Sequence, residues 1–162
     1  MFDSDLLQLA ETVLGKAREQ RLRIATAESC TGGLVAAFLT EIAGASDVFE
    51  RGFIAYSNLA KTDLLGVPEQ LIAGHGAVSK AVARAMARGA MERSNAQLAV
   101  AVTGIAGPGG GSPEKPVGLV HIAAARLGKE VLHERQLFGD SGRREIRLAS
   151  VEAALKLLLR LF

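Results

Sequence analysis

The residues best suited to chemistry stand together in Ala27-Glu28-Ser29-Cys30-Thr31-Gly32-Gly33, where two hydroxyls and the chain's one thiol are followed by two glycines. A strand-like run, Arg21 to Thr26, leads in, and an apolar helical run, Leu34 to Ala43, leads out. Glycines let backbone approach closely, and the first N–H groups of a helix lack partners inside it, so such a turn suits an anion or an oxyanion. Ser29 is read as a nucleophile held at that turn, with the backbone of Cys30, Thr31, Gly32 and Gly33 supplying the oxyanion donors. Cys30 is the rival nucleophile, and N-capping of the helix by Ser29, Cys30 or Thr31 is the reading without chemistry.

A nucleophile needs a base. The three histidines are His75, in a glycine-flanked segment, and His121 and His133, in strand-like runs; none stands near Ser29 in sequence. Lys61, in Tyr56-Ser57-Asn58-Leu59-Ala60-Lys61, is the other candidate, with Tyr56 as a proton relay. Burial favours the neutral amine, which is what a general base at neutral pH requires.

Two further stretches suit a ligand. Thr103-Gly104 opens a loop to Pro116 with five glycines and three prolines, directly after the apolar run Leu98–Val102. Ligands of open α/β sheets bind at such strand ends, and the loop lacks the Gly-Lys-Ser/Thr ending of a Walker motif. Arg143 and Arg144 stand in the first turn of the last helix, against the dipole preference, which a bound phosphate would reconcile. Thr103, Gly104 and Arg143 are therefore expected to contact substrate.

The elements that must position these groups follow from periodicity. Helices are expected from Ser4 (capped by Asp3 or Ser4) to Gln20-Arg21, over 34–43, over a short segment carrying Lys61 behind Ser57 or Asn58, from Ser79 to Arg93, and from Gly142 to Phe162. Strands are expected at 22–26, 49–56 and 98–102, with a hairpin of 117–126 and 130–138. Leu71 to Val78 reads as a glycine-interrupted loop. Alternating helices and strands closed by a hairpin predict one three-layer α/β/α domain with a mixed sheet over residues 1–162. The last helix is apolar on most of its circumference towards its end, which allows for a subunit interface.

Composition narrows the functional classes. Apolar residues are 49% of the 162, tryptophan is absent, and mean hydropathy is +0.23. Net charge of +2 argues against a nucleic-acid partner, while thirteen arginines among nineteen basic residues leave a small anionic ligand open. One cysteine precludes an internal disulfide and fits a reducing compartment, and neither a signal peptide nor a bilayer-length apolar run is evident. A cytoplasmic protein without a membrane partner is expected.

Six ordered stretches together resemble one family: the Ser29 turn, Phe49-Glu50-Arg51-Gly52, Tyr56-Ser57-Asn58 with Lys61, His75-Gly76-Ala77-Val78-Ser79, Gly104-Ile105-Ala106-Gly107-Pro108, and Lys115-Pro116-Val117-Gly118. They look like the nicotinamide-nucleotide amidase family, the PncC or CinA C-terminal domain, over nearly the whole chain. That resemblance implies hydrolysis of the carboxamide of nicotinamide mononucleotide to nicotinate mononucleotide and ammonia. It implies Ser29 as nucleophile with Lys61 and Tyr56 in place of a histidine, and no metal or organic cofactor. A homo-oligomer, with a dimer favoured, is expected, either as a stand-alone enzyme or as a domain of a longer one. The competing class is a non-catalytic nucleotide-binding module of a larger CinA-like assembly, using the same turn and loop as a phosphate cradle.

Overall fold

A computed structural model describes residues 2–162. Its elements are α1 (Ser4–Glu19), β1 (Ile24–Glu28), α2 (Leu34–Glu41), β2 (Phe49–Ile54), α3 (Asn58–Leu65), α4 (Glu69–His75), α5 (Lys80–Glu92), β3 (Leu98–Gly104), β4 (Leu119–Arg126), β5 (Leu132–Leu137) and α6 (Arg143–Leu159), with a short 3-10 turn at Ala45–Asp47.

The five strands form one mixed sheet in the order β2-β1-β3-β4-β5. β1 pairs in parallel with β2 and β3, while β3–β4 and β4–β5 are antiparallel. Strand side chains alternate between faces, and two separate apolar cores result. Ile24, Leu98, Val100, Val102, Val120 and Ile122 pack with α1, α2 and α6 on one face. Ala25, Ala27, Ala99, Ala101 and Ala123 pack with α3, α4 and α5 on the other. The alanines keep that second face low, so α5 sits close to the sheet. Gly89 extends the close packing to α3, since a Cβ there would overlap the Leu65 carbonyl.

The expected three-layer α/β/α arrangement with a mixed sheet is what forms. β3 lies at the centre, as the apolar run predicted, though it is parallel only to β1. Three local expectations change. The first strand is Ile24–Glu28 and so reaches the residue before Ser29, the second ends at Ile54, and the loop expected over Leu71 to Val78 is helical as far as His75, the end of α4. Pro68 starts α4, Gly76 ends it at φ 77°, and burial of Ile72 offsets the helix cost of Gly74, about 1 kcal/mol.

The layers fix where a site can form. The connection leaving β1 runs to α2 on one face, and the connection leaving β2 runs through α3–α5 on the other. The carboxyl ends of β1 and β3 therefore meet at a change of direction, where open α/β sheets hold ligands.

Candidate active site

Ser29 follows directly on β1, and its N–H donates to the Val102 carbonyl of β3 at 3.0 Å. The Gly32 N–H donates back to the Ser29 carbonyl at 3.0 Å, closing a tight turn in which Gly32 and Gly33 hold φ of 58° and 99°. Only glycine takes these values without strain. The nucleophile candidate is thus fixed from both sides, with 8% of its surface exposed.

Lys61 comes from α3. The Ser57 hydroxyl caps that helix by accepting from the Ala60 N–H at 3.0 Å, and Gly66 ends it in the left-handed region. The capped helix directs Lys61 inward, where it is 1% exposed. Its Nζ donates to Ser29 Oγ at 3.1 Å and to the Tyr56 carbonyl at 3.1 Å. No carboxylate pairs with it among the described residues. Burial lowers the Lys61 pKa from its ordinary value, so the amine gives up its proton more readily than a surface lysine does.

Tyr56 occupies a different place from the one expected of a relay. The residue is 59% exposed, and its hydroxyl accepts from Arg143 Nη2 at 3.1 Å. The group of Tyr56 that meets Lys61 is its main-chain carbonyl. The hydroxyl has no hydrogen bond to Ser29 or Lys61. The cause is local: Tyr56 lies on the solvent side between Ile54 and the α3 cap, while its carbonyl faces the first turn of α3.

The helix end after Ser29 is already filled. The buried Glu28 carboxylate accepts from the Gly33, Val35 and Ala36 N–H groups at 3.1, 3.0 and 2.9 Å. This corrects the expectation that Gly32 and Gly33 hold an oxyanion, because the Gly32 N–H is spent on Ser29 and the Gly33 N–H on Glu28. The Thr31 side chain is fully buried, its hydroxyl has no partner among the described residues, and it does not line the cleft. Cys30 does line it beside Ser29. The Cys30 amide makes no hydrogen bond to another residue among those described; its own sulfur is its neighbour. The thiol points into the core, and burial pushes its pKa up to about 11, which leaves it protonated and shielded at neutral pH.

The cleft, about 280 Å³, is lined by Ser29 and Lys61 at one end and by Thr103, Gly104, the glycine-rich loop and Arg143 at the other. Thr103 is on the wall, but its hydroxyl donates to the Ala77 carbonyl at 2.9 Å. Arg143 reaches across from the first turn of α6, donating to the Gly107 carbonyl at 2.8 Å as well as to Tyr56. Among the predicted residues, then, Ser29, Lys61, Cys30, Tyr56, Thr103, Gly104 and Arg143 converge, whereas Thr31, Gly32 and Gly33 build the turn behind the cleft.

His75 ends α4, exposed and away from the cleft. His121 and His133 face each other across β4 and β5, Nδ1 to Nε2 at 2.9 Å. Among the described residues no group of three or more His, Cys, Asp or Glu is placed to share a metal ion.

Two residues that hold the site were not singled out from the sequence. Glu28 precedes Ser29, and its type gives no signal there, because a strand-end glutamate is ordinarily solvated. Arg147 stands one turn beyond Arg143 on α6 and donates to the Cys30 and Thr31 carbonyls. The one-turn spacing of Arg143 and Arg147 on α6 was the available signal.

Known proteins resemble this chain over its whole length. The family model of the CinA C-terminal domain matches residues 6–162. The protein named nicotinamide-nucleotide amidohydrolase PncC of Escherichia coli K12 is 47% identical over 163 residues, covering 100% of this chain and 98% of that one. A CinA-like protein of Akkermansia muciniphila is 55% identical over 130 residues, covering 80% of this chain and 31% of that one. The crystal structure of competence/damage inducible protein CihA from Agrobacterium tumefaciens superposes with a TM-score of 0.98 at 53% identity, covering 99% of this chain and 98% of that one. Several curated relatives are longer, and the chain spans 30–38% of their length.

Proposed function

The chain belongs to the CinA C-terminal domain family, and we propose that it hydrolyses the carboxamide of nicotinamide mononucleotide to nicotinate mononucleotide and ammonia. The observation that carries this reading is the buried contact of Lys61 Nζ with Ser29 Oγ at 3.1 Å, open to a cleft and without a carboxylate partner among the described residues. The name of the full-length E. coli relative supplies the substrate.

In this reading neutral Lys61 takes the Ser29 proton directly, and the Tyr56 carbonyl keeps the amine in line. Ser29 Oγ attacks the amide carbon, and the Cys30 N–H, with amides of the facing 106–110 loop, holds the oxyanion. Protonated Lys61 passes its proton to the leaving nitrogen, and ammonia departs. Water then attacks the nicotinoyl ester as Lys61 takes its proton; the bond from the acyl carbon to Ser29 Oγ breaks, Lys61 returns the proton to Oγ, and nicotinate mononucleotide leaves. The substrate phosphate lies towards Arg143 and the glycine loop, and Thr103 lines the wall between. Tyr56 acts on Arg143 in this scheme rather than on the proton. No step calls on a metal or organic cofactor.

A homo-oligomer, a dimer first, is part of the proposal: Ile54 at 55% and Leu59 at 65% exposure leave apolar surface on β2 and α3. A cytoplasmic location is another part; no helix among the described residues is long and apolar enough to cross a membrane. The deciding experiment is ammonia release from nicotinamide mononucleotide by the wild type, Ser29→Ala and Cys30→Ala. Release by the wild type and Cys30→Ala alone supports the reading. Release lost only in Cys30→Ala transfers the nucleophile to the thiol, and saturable binding without release leaves a nucleotide-binding module.

A further inference from the structure

The backbone groups of the Ser29 turn can be accounted for one at a time. Glu28 takes the amides of Gly33, Val35 and Ala36. The Gly32 amide goes to the Ser29 carbonyl and the Leu34 amide to the Thr31 carbonyl. Arg147 donates to two carbonyls of the turn, its Nε to Cys30 at 3.1 Å and its Nη2 at 2.9 Å to Thr31, which also accepts from Leu34. The amides of Cys30 and Thr31 have no partner in another described residue, that of Cys30 lying beside its own sulfur, and of the two only Cys30 lines the cleft.

The direction of that Cys30 amide is set by a relay of planar peptide units. In a trans peptide the carbonyl and the N–H point opposite ways. Arg147 Nη2, together with the Leu34 N–H, fixes the Thr31 carbonyl, which aims the Gly32 N–H of the same peptide unit. That N–H holds the Ser29 carbonyl, and the peptide unit carrying the Ser29 carbonyl also carries the Cys30 N–H. Nε, bonded to the Cys30 carbonyl, fixes the peptide unit between these two. A rigid planar guanidinium can hold two successive carbonyls; an ammonium is a point charge and cannot do so in one geometry. The fit is close, since a Cβ at Gly32 would sit 3.4 Å from Arg147 Nη2. No carboxylate forms an ion pair with Arg147 among the described residues, so its charge also favours a nearby oxyanion.

We infer that Arg147 is a positioning residue for acyl transfer at Ser29: its hold on the Cys30 and Thr31 carbonyls aims the Cys30 N–H at the oxyanion. This rests on the Ser29 reading given above. It asks Arg147 to touch no substrate atom, which separates it from Arg143 in the cleft.

The test compares wild type, Arg147→Met and Arg147→Lys in the full chain, with Ser29→Ala as blank. Two substrates are used, nicotinamide mononucleotide (ammonia release) and p-nitrophenyl acetate (Ser29-dependent p-nitrophenol release). Amide NMR and thermal melts accompany the kinetics. In Arg147→Met, kcat should fall about 100-fold with KM within about threefold, the scale of one lost oxyanion donor. The Cys30 amide resonance should shift, and Arg147→Lys should recover part of the loss. Unchanged kcat, a rise in KM alone, or a loss equal to the unfolded fraction would overturn the inference. If Arg147→Met does not fold, Arg147→Lys decides: lowered kcat with a shifted Cys30 amide supports the role, and wild-type values for both overturn it. A wild type active only on the ester removes the nucleotide reading and leaves the Arg147 comparison to be made on the ester. A wild type with no Ser29-dependent turnover of either substrate overturns both.

Discussion

Two buried basic clusters lie on the same face of the sheet and differ in what burial achieves. Lys61 is buried against the Ser29 hydroxyl and the Tyr56 carbonyl, at the end of an open cleft. His121, paired in register with Thr103, is buried against His133, and neither histidine lines that cleft. Desolvation is the leading cause of lowered basicity in both, taking His121 to about 4. Lys80 and Arg84 also act on His133, and Arg135 and Lys115 on His121, so protonating the imidazole pair would add charge to a cationic surrounding. A perturbed basicity is therefore not by itself a mark of a site. Chemistry needs the second partner, a nucleophile, and space for a substrate, and only Lys61 has both.

The sharpest way to break the comparison is kinetic. Ser29→Ala and Lys61→Met should each lower ammonia release about 1,000-fold or more, as expected when one member of a nucleophile–base pair is lost. His121→Asn should stay within a few-fold of wild type in the same assay. A Lys61→Met enzyme that kept a tenth of the activity would remove Lys61 as the base.

The pH profile comes next. The neutral amine is the active form, so kcat/KM should fall as pH drops through the lowered Lys61 pKa. Linkage gives the stability side. Between the folded and unfolded pKa values of Lys61 the unfolded chain binds more protons, so the buried amine costs stability at neutral pH. Lys61→Met should then raise Tm by a few degrees in a thermal melt while abolishing turnover, since about 1 kcal/mol moves Tm by roughly 2–4 °C in a domain near this size. An unchanged or lower Tm would mean that the lysine's hydrogen bonds outweigh its desolvation.

A smaller effect belongs to the histidines. His121 stays neutral in the folded state down to about 4, against an ordinary 6.5, so the unfolded state gains the proton first as pH falls. Urea titrations should find stability declining between pH 6.5 and 4, with a shallower decline in His121→Asn. Equal slopes in the two proteins would show the pair to be uncoupled from folding.

Smallest of all should be Cys30→Ala. The thiol sits in the core that includes Val35 and Ile146, with a pKa of about 11. Ammonia release should remain within a few-fold, at a packing cost of about 1 kcal/mol. A loss as large as that of Ser29→Ala would reverse their roles.

Much of this was legible locally. Asp3, Ser57 and Ser79 cap the helices assigned to them, because capping is decided by hydroxyl or carboxylate groups within three residues of the amides they accept from. The apolar runs marked β3 and the hairpin, and the glycines after Ser29 marked the turn. The loop expected from Leu71 to Val78 is helical as far as His75 because burial of Ile72 outweighs a helical glycine, and burial depends on a neighbour, α5, later in the chain.

The site divides along the same line. Sequence alone determined that a hydroxyl stands at a strand-to-helix bend, that no histidine is its local partner, and that Lys61 lies on a short capped helix. Short-range hydrogen bonding and periodicity encode those facts. Only the tertiary structure decided that Lys61 Nζ meets Ser29 Oγ across 32 residues, and that Arg147 holds the turn from 116 and 117 residues away. It also decided that the Tyr56 hydroxyl goes to Arg143, 87 residues on, and that Glu28 fills the helix end after Ser29. Long-range contacts are set by the order of strands in the sheet and by which face each helix covers. An amide's direction depends on what holds the neighbouring carbonyl, and no spacing of residue types along the chain records that.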